Sequence, residues 1–390
     1  MSERLALLVI GGGPAGLSAA RSYREAGGQG PVAIVGDEHR MPYRRPPLTK
    51  ELLRGDSTEE DLPIEHESWL SEHEVSLISG RAVTLDADAH SVGLSGGREL
   101  RYRHLVLATG AEPTRLPVPG ADDPAVRVLR TLDHLRELQQ RLSRGESAIV
   151  IGSGFIGCEI AASLRMRGHR IELVSDEAAP NVARLGDEAA SVLARWLKEH
   201  GVALHLGTAV ERIERSPGGF NVVADGGSVS GDVVIMATGV APRGELAAAT
   251  NGIELADGAI PVSADMRSAR ADVLAAGDVC RAENAAAGRP LRVEHWGDAL
   301  TQGEIAGATA AGKQAVWDEV PGFWSTIGSR TLKYAAWGDG FDQARFERHS
   351  GGGFTVWYAR DGQVVGVLTH EADGDYERGS ELIKRGASWT

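Results

Sequence analysis

The feature that most constrains this chain is a glycine fingerprint that occurs twice. Gly11-x-Gly13-x-x-Gly16 follows the apolar run Leu5 to Ile10, and Gly152-x-Gly154-x-x-Gly157 follows Ile149 to Ile151. In such a pattern the first glycine makes the tight turn out of a buried strand. The second lets backbone approach a pyrophosphate, and the third lets the helix pack on the strand. The helix that starts there turns its free N–H groups and positive dipole end toward the phosphates. One glycine turn between a strand and a helix is common. Two in the same strand-to-helix context predict two dinucleotide-binding units, the arrangement of a flavin fed by a nicotinamide.

The other segments read as a duplicated architecture. Val32 to Val35 has the character of a second strand and leads to Asp37, at about the distance where an acid meets a ribose hydroxyl pair. Leu105-Val-Leu-Ala-Thr-Gly110 and Val233-Val-Ile-Met-Ala-Thr-Gly239 each precede a proline-containing loop (Pro113, Pro242) and read as matching strands. Val273 to Asp278 and a helical stretch from Ala299 to Ala311 are expected to return to the first unit. From about Trp317 the character changes. Thr331 to Trp337, Gln343 to Arg348, Phe354 to Tyr358 and Val364 to Thr369 read as strands with glycine turns. At 390 residues the chain exceeds what one core holds. The expected fold is α/β: a discontinuous Rossmann-like domain over 1–115 and 243–314, a second inserted over 116–242, and a small α+β C-terminal domain with an antiparallel sheet over 315–390.

Composition narrows the function. A net charge of -13 lacks the basic footprint of a nucleic-acid binder. Only Met1 to Arg4 precede the first strand and no apolar stretch is long enough to span a bilayer, so a cytoplasmic protein without membrane contact is expected. The 12 histidines include no His-Glu-x-x-His and no paired Cys/His spacing, so no metal or iron-sulfur cluster is expected within the chain. Gly93-Leu-Ser-Gly-Gly97 matches a nucleophile-elbow pattern but sits in a short polar loop without the strand-to-helix context, and is read as chance. Cys158 and Cys280 are the only cysteines and are far apart, which argues against a redox disulfide. A lowered thiol pKa is conceivable for Cys158 in the first turn of the second fingerprint helix. Free cysteines are more often buried and inert, and both are read that way.

The two fingerprints, together with Met41-Pro-Tyr-Arg-Arg-Pro-Pro-Leu-Thr-Lys-Glu51, Gly277-Asp278, Arg292-Val-Glu-His-Trp296 and Val320-Pro-Gly-Phe-Trp-Ser325, resemble the NADH-dependent ferredoxin reductases. That family includes putidaredoxin, rubredoxin and oxygenase-coupled reductases, and apoptosis-inducing factor is a relative. The resemblance covers nearly the whole chain, and its proline-rich block is far more specific than a fingerprint. It implies a glutathione-reductase-like pair of FAD and NAD domains. Hydride would pass from NADH to the flavin, and electrons singly to a small 2Fe-2S ferredoxin serving an oxygenase or cytochrome P450. The cofactors carry that chemistry and the protein supplies geometry and electrostatics.

The resemblance also implies a site. Gly11, Gly13, Pro14, Ala15, Gly16 and Asp37 would hold the ADP half of FAD, with Val83 against the adenine and Arg45 and Lys50 near the flavin. Arg130 would contact FAD, Asp278 the ribityl chain, and His295 with Trp296 the isoalloxazine. Ala108, Thr109, Gly110, Gly277, Glu294 and Trp324 complete that site. Gly152, Gly154, Phe155, Ile156, Gly157 and Gly239 belong to the nicotinamide cofactor. Lys50 and Glu159 would form an ion pair beside the flavin that positions ring and nicotinamide; these two are the catalytic candidates. Read without the resemblance, Arg45 and Lys50 are a solvated basic loop and Glu159 a helix-surface carboxylate in an i,i+4 pair.

Two departures from the family pattern matter. Ser175 stands where an acid should close the second site, with Asp176 and Glu177 next. NADH is still favoured over NADPH, because no arginine lies at that strand end and two carboxylates would repel a 2'-phosphate. After Trp324-Ser325 the chain has Thr326 and Ile327 where many members carry Asp and Gln. Other classes stay open: a redox sensor like apoptosis-inducing factor, or an NADH oxidase or nitrite-reductase-associated flavoprotein, although Met41 to Glu51 lacks the redox cysteine of peroxide-reducing oxidases. Whether the chain forms a homodimer is also open.

Overall fold

The computed structural model describes residues 4–142 and 147–389. Met1 to Glu3, part of the short start from which no leader was expected, lie outside them.

Strand β1 (Leu5–Ile10) contains no polar residue and its last four positions are buried. Both of its faces must therefore be covered, the situation of a central parallel strand. It hands over to α1 (Pro14–Glu25), where Pro14 sits in the first turn and its missing N–H costs nothing. Strand β2 (Val32–Gly36) pairs parallel with β1, Val9 opposite Ile34. Short helices α2 (Glu51–Arg54) and α3 (Glu67–Glu72) lead to β3 (Val75–Ser79) on the far side of β2. Strands β4 (Ala82–Asp86), β5 (Ser91–Leu94) and β6 (Glu99–Leu107) follow, giving the order β3-β2-β1-β6-β5-β4. Gly93 to Gly97 lies in the β5–β6 hairpin, so Ser95 has no elbow geometry.

The chain leaves along β7 (Ala111–Pro113), passes β8 (Arg127–Val128) and α4 (Leu132–Leu142), and repeats the pattern. Strand β9 (Ser147–Ile151), α5 (Phe155–Met166), β10 (Arg170–Val174), α6 (Val182–Glu199) and β11 (Ala203–His205) mirror the first unit. A meander of β12 (Val210–Ser216), β13 (Gly219–Ala224) and β14 (Gly227–Gly231) then leads to β15 (Val233–Met236) beside β9. The parallel order is β11-β10-β9-β15-β8. Strand β16 (Val240–Pro242) returns antiparallel on β7, Ala241 opposite Glu112, so the outgoing and returning linkers form one ribbon. The twin Ala-Thr-Gly phrases brace it: Thr109 Oγ1 donates to Arg243 O at 2.7 Å, and Thr238 Oγ1 to Thr114 O at 2.7 Å.

Helix α7 (Glu245–Ala248) and strands β17 (Ile260–Val262), β18 (Val273–Ala275), β19 (Cys280–Asn284) and β20 (Arg289–Leu291) rejoin the first unit, where β18 lies parallel to β6. Helix α8 (Trp296–Ala310) packs along α1. A Cβ at Gly303 or Gly307 would fall 2.3 or 2.2 Å from the carbonyl oxygen of Ala15 or Ala19, so only glycine permits the approach. Trp317 is fully buried in this same core, and its backbone N–H donates to Ala264 O.

The last segment is an antiparallel sheet of β21 (Gly322–Ile327), β22 (Arg330–Ala336), β23 (Gln343–Arg348), β24 (Phe354–Arg360) and β25 (Gln363–His370), ordered β21-β22-β25-β24-β23. Strand β21 adds to the runs legible in the sequence. Helix α9 (Asp373–Lys384) covers one face through Ile383. The other face packs on the second unit: Ile327, Leu332, Phe354 and Tyr358 share a core with Ile160, Leu193 and Trp196. Each such large apolar side chain contributes roughly 1.5–3 kcal/mol on burial. That packing sets β21 against the start of α5, beside the turn of the second fingerprint.

Candidate functional site

Both fingerprints open into one cleft of about 920 Å³ at the carboxyl ends of the parallel strands, where open α/β sheets bind ligands. From the first unit it is lined by Gly11, Gly13, Pro14, Ala15, Asp37, Arg45, Lys50, Val83, Ala108, Thr109 and Gly110, and by Gly277, Asp278, Glu294, His295 and Trp296. Arg130 lines it from the turn between β8 and α4. Gly154, Phe155, Ile156, Glu159, Glu177 and Gly239 line it from the second unit itself, and Trp324 from β21. Gly16, Gly152, Gly157 and Asp176 do not reach the lining.

The glycines divide into three steric roles. Gly11 and Gly152 adopt φ +128° and +105°, which the turn demands. At Gly16 and Gly157 a Cβ would lie 2.0 and 2.1 Å from the carbonyl oxygens of Gly11 and Gly152, so these residues seat helix on turn behind the cleft. Gly13 and Gly154 differ, since a Cβ there would meet nothing within 4 Å. Their open space lies on the cleft side, before the N-termini of α1 and α5, and fits two pyrophosphates.

At the first site Asp37 accepts a bond from Arg243 at 3.2 Å. Its neighbour Glu38, which the sequence reading passed over, is the more committed acid. It accepts from Arg45 at 2.5 Å and from the Tyr43 hydroxyl at 2.6 Å. Arg45 also donates to Arg130 O at 2.8 Å, while Arg130 donates to Asp278 at 2.6 Å. Arg45 is therefore an organiser joining the 38–45 loop to residue 130, not part of a solvated loop. Burial, with Glu38 alongside, pushes the Tyr43 phenol up to about 12.

At the second site the acidic pair splits. Asp176 is exposed outside the lining. Glu177 lines the cleft, but its carboxylate also accepts from the Asn181 N–H at 3.1 Å, the Ser153 hydroxyl at 3.2 Å and the Ala183 N–H at 3.3 Å. Ser175 is buried, with its hydroxyl 2.8 Å from that of Ser153. The expectation that no arginine lies nearby needs correcting, because Arg184 at the start of α6 lines the same cleft. Its distance along the chain from Ser175 hid it.

Where the units meet, Lys50 Nζ donates to Glu159 Oε2 at 2.7 Å, and their side chains are only 6% and 2% exposed. Thr49 Oγ1 donates to the same oxygen at 2.5 Å, and Ser325 Oγ to Oε1 at 2.7 Å. Neither hydroxyl was anticipated. A charge buried this deeply persists only when paired and hydrogen-bonded, and Glu159 is both. It is no surface i,i+4 carboxylate. Next to it Phe323 stacks edge-on to Phe155 at 4.8 Å and tilts against His295 at 4.7 Å, while Trp324 stays 42% exposed.

Both cysteines are free and buried. Burial raises the Cys280 thiol to about 12 and pushes Cys158 well above the ordinary thiol range, so neither is primed as a thiolate. Among the described residues no group of three or more His, Cys, Asp or Glu side chains could hold a metal ion, and no helix is long and apolar enough to cross a membrane.

The family model described as pyridine nucleotide-disulphide oxidoreductase matches residues 5–315. The chain belongs to that family. It is 34% identical to rhodocoxin reductase of Rhodococcus erythropolis over 87% of this chain and 79% of that protein. It is 31% identical to putidaredoxin reductase of Pseudomonas putida over 97% and 91%. Among solved structures, a ferredoxin reductase from Rhodopseudomonas palustris superposes with a TM-score of 0.92 at 31% identity, covering 98% of this chain and 95% of that one. The reductase in a covalent putidaredoxin reductase–putidaredoxin complex gives 0.91 at 28% identity over 97% and 93%. The chain is thus an α/β flavoprotein oxidoreductase using FAD and NADH, although its own two cysteines form no disulphide.

Proposed function

We propose that the chain is an FAD-dependent NADH:ferredoxin oxidoreductase. The observation that carries this reading is one cleft lined by both fingerprints, with the buried Lys50–Glu159 pair where the two halves meet. FAD belongs along the first unit and NADH along the second. Bound there, FAD converts a two-electron hydride donor into a source of single electrons. The residues supply the rest. Gly13 and Gly154 leave room for backbone approach, and α1 and α5 aim their N-termini at the pyrophosphates. Lys50 offers a cation where charge accumulates on reduction, and Glu159 fixes that cation. Phe155 and Phe323 form the apolar, edge-to-face wall beside the junction.

The supporting domain division is 1–115 with 243 onward for FAD, 116–242 for NAD, and a C-terminal domain. Its start is better set just after Trp317, which packs in the first core, than at 315. The partner we infer is a small 2Fe-2S ferredoxin in the cytoplasm, feeding an oxygenase or cytochrome P450. The names of the putidaredoxin and rhodocoxin reductases support that class of partner. The test is NADH-dependent cytochrome c reduction by the FAD-loaded protein with and without added 2Fe-2S ferredoxin. Strict dependence on the ferredoxin supports the reading. Bleaching by NADH with no transfer to any such ferredoxin would favour the sensor instead.

A further inference from the structure

The oxidoreductase reaction leaves one proton to be disposed of. NADH gives up two electrons and one hydrogen nucleus as hydride, whereas two one-electron acceptors take only the electrons. The balance is NADH plus two oxidised acceptors yielding NAD⁺, two reduced acceptors and one H⁺. Most cleft carboxylates are badly placed to take that proton. Glu159 has both oxygens engaged, Asp37 and Asp278 are bonded to arginines, Glu294 pairs with Arg292, and Glu177 accepts backbone N–H groups.

His295 differs. Its Nδ1 lies 2.9 Å from Asp298 Oδ2, and Asp298 is 7% exposed with the imidazole as its side-chain partner. A buried carboxylate on Nδ1 holds the proton there, so Nε2 presents its lone pair. Among the described residues no hydrogen bond to Nε2 occurs. His295 lines the cleft and Asp298 does not. Around the dyad, β21 contributes the uncharged Phe323, the preceding loop contributes the Arg292–Glu294 pair, and α9 brings Tyr376 toward Asp298.

We propose that His295, held by Asp298, accepts the proton released when the reduced cofactor gives up its electrons, and passes it to solvent. With reduced flavin bound, its N–H bond would break and leave the electron pair for the acceptors. A new bond forms at Nε2, and the resulting imidazolium is stabilised by the Asp298 carboxylate. Asp298 is a positioning residue, since it acts through the ring. The inference rests on the reductase reading, but its test needs no ferredoxin.

The FAD-loaded protein is reduced with NADH and then mixed with ferricyanide across a range of pH. Reoxidation is expected to rise with pH and to slow in D₂O. Asp298→Asn should be reduced by NADH at close to the wild-type rate, yet reoxidise about a hundredfold more slowly, the scale of a lost general base. His295→Gln should lose the pH dependence. Independently of turnover, ¹H–¹⁵N NMR of the oxidised holoprotein should show His295 protonated at Nδ1, and Asp298→Asn should abolish that preference. Should His295→Gln lose FAD, the Asp298→Asn rates and the NMR still decide. The proposal is overturned by pH-independent reoxidation of the wild type, by unaltered Asp298→Asn reoxidation, by a proton found on Nε2, or by pH dependence lost in Glu159→Gln but kept in His295→Gln. Failure of NADH to bleach the flavin at all would instead sink the reductase reading.

Discussion

Replacing Glu159 with alanine removes the acceptor for three donors at once: Lys50, Thr49 and Ser325. Lys50 Nζ is left with Pro46 O and the Thr49 hydroxyl, both at 3.3 Å, and with no counter-charge. Removing one partner of a buried ion pair costs about 3–5 kcal/mol, so a clear loss of folding stability is expected in a urea titration. Function should suffer separately. If the pair positions flavin and nicotinamide, losing it should slow flavin bleaching by NADH in single-turnover stopped flow by about ten- to a hundredfold. Electron transfer from already reduced flavin to ferredoxin should be nearly unchanged. The double variant Lys50→Met with Glu159→Leu separates the two effects. Replacing a buried pair by apolar groups of similar size is often neutral for stability, so the double variant should recover stability while bleaching stays slow. Wild-type bleaching and unchanged NADH affinity in Glu159→Ala would refute the positioning role. So would recovery of the bleaching rate in the double variant, which would reduce the pair to packing.

Three further outcomes follow from the cleft and the core. Glu177→Gln should narrow the NADH over NADPH preference in kcat/KM by roughly one to two orders of magnitude, and Asp176→Asn much less, because only Glu177 lines the cleft. Gly157→Ala should destabilise the second unit, its Cβ falling 2.1 Å from Gly152 O. Gly154→Ala, with nothing within 4 Å, should fold normally and weaken NADH binding measured by flavin titration. Raising the pH should destabilise the protein: Cys280 goes from an ordinary 9.0 to about 12 and Tyr43 from 10.0 to about 12. Both hold protons in the folded chain that the unfolded chain releases, so their contribution is full below about pH 9 and is lost as pH rises toward 12. A urea midpoint at pH 11 no lower than at pH 8 would contradict this, as would labelling of either thiol by Ellman's reagent in the native protein at pH 8.

What could be read from the sequence was local. A fingerprint lies within six residues and carries its own geometry, so β1 to α1 and β9 to α5 were legible, as was the kinship of the two Ala-Thr-Gly phrases. What those phrases brace was not, because the β7–β16 ribbon joins the segments by which the chain leaves and returns, more than a hundred residues apart. Glu38 escaped notice beside Asp37 because only the fold turns its carboxylate onto Arg45 and Tyr43. Arg184 escaped because cleft lining depends on where α6 starts, and Trp317 because a lone aromatic carries no sign of which core it fills.

The Lys50–Glu159 pair shows the limit most clearly. The resemblance joined these two residues, whereas the residues alone allowed a surface carboxylate and a solvated lysine. Even the resemblance gave only a pair. In the folded chain Glu159 is reached by donors from the loop before α2 and from β21, parts separated by most of the sequence. A carboxylate so buried needs all of them, since each lone pair left bare in low dielectric carries a desolvation cost. The C-terminal sheet is therefore not an appendage to two nucleotide domains. By delivering Ser325 it completes the hydrogen bonding of the carboxylate that holds the lysine, and that contact exists only with the sheet docked on α5.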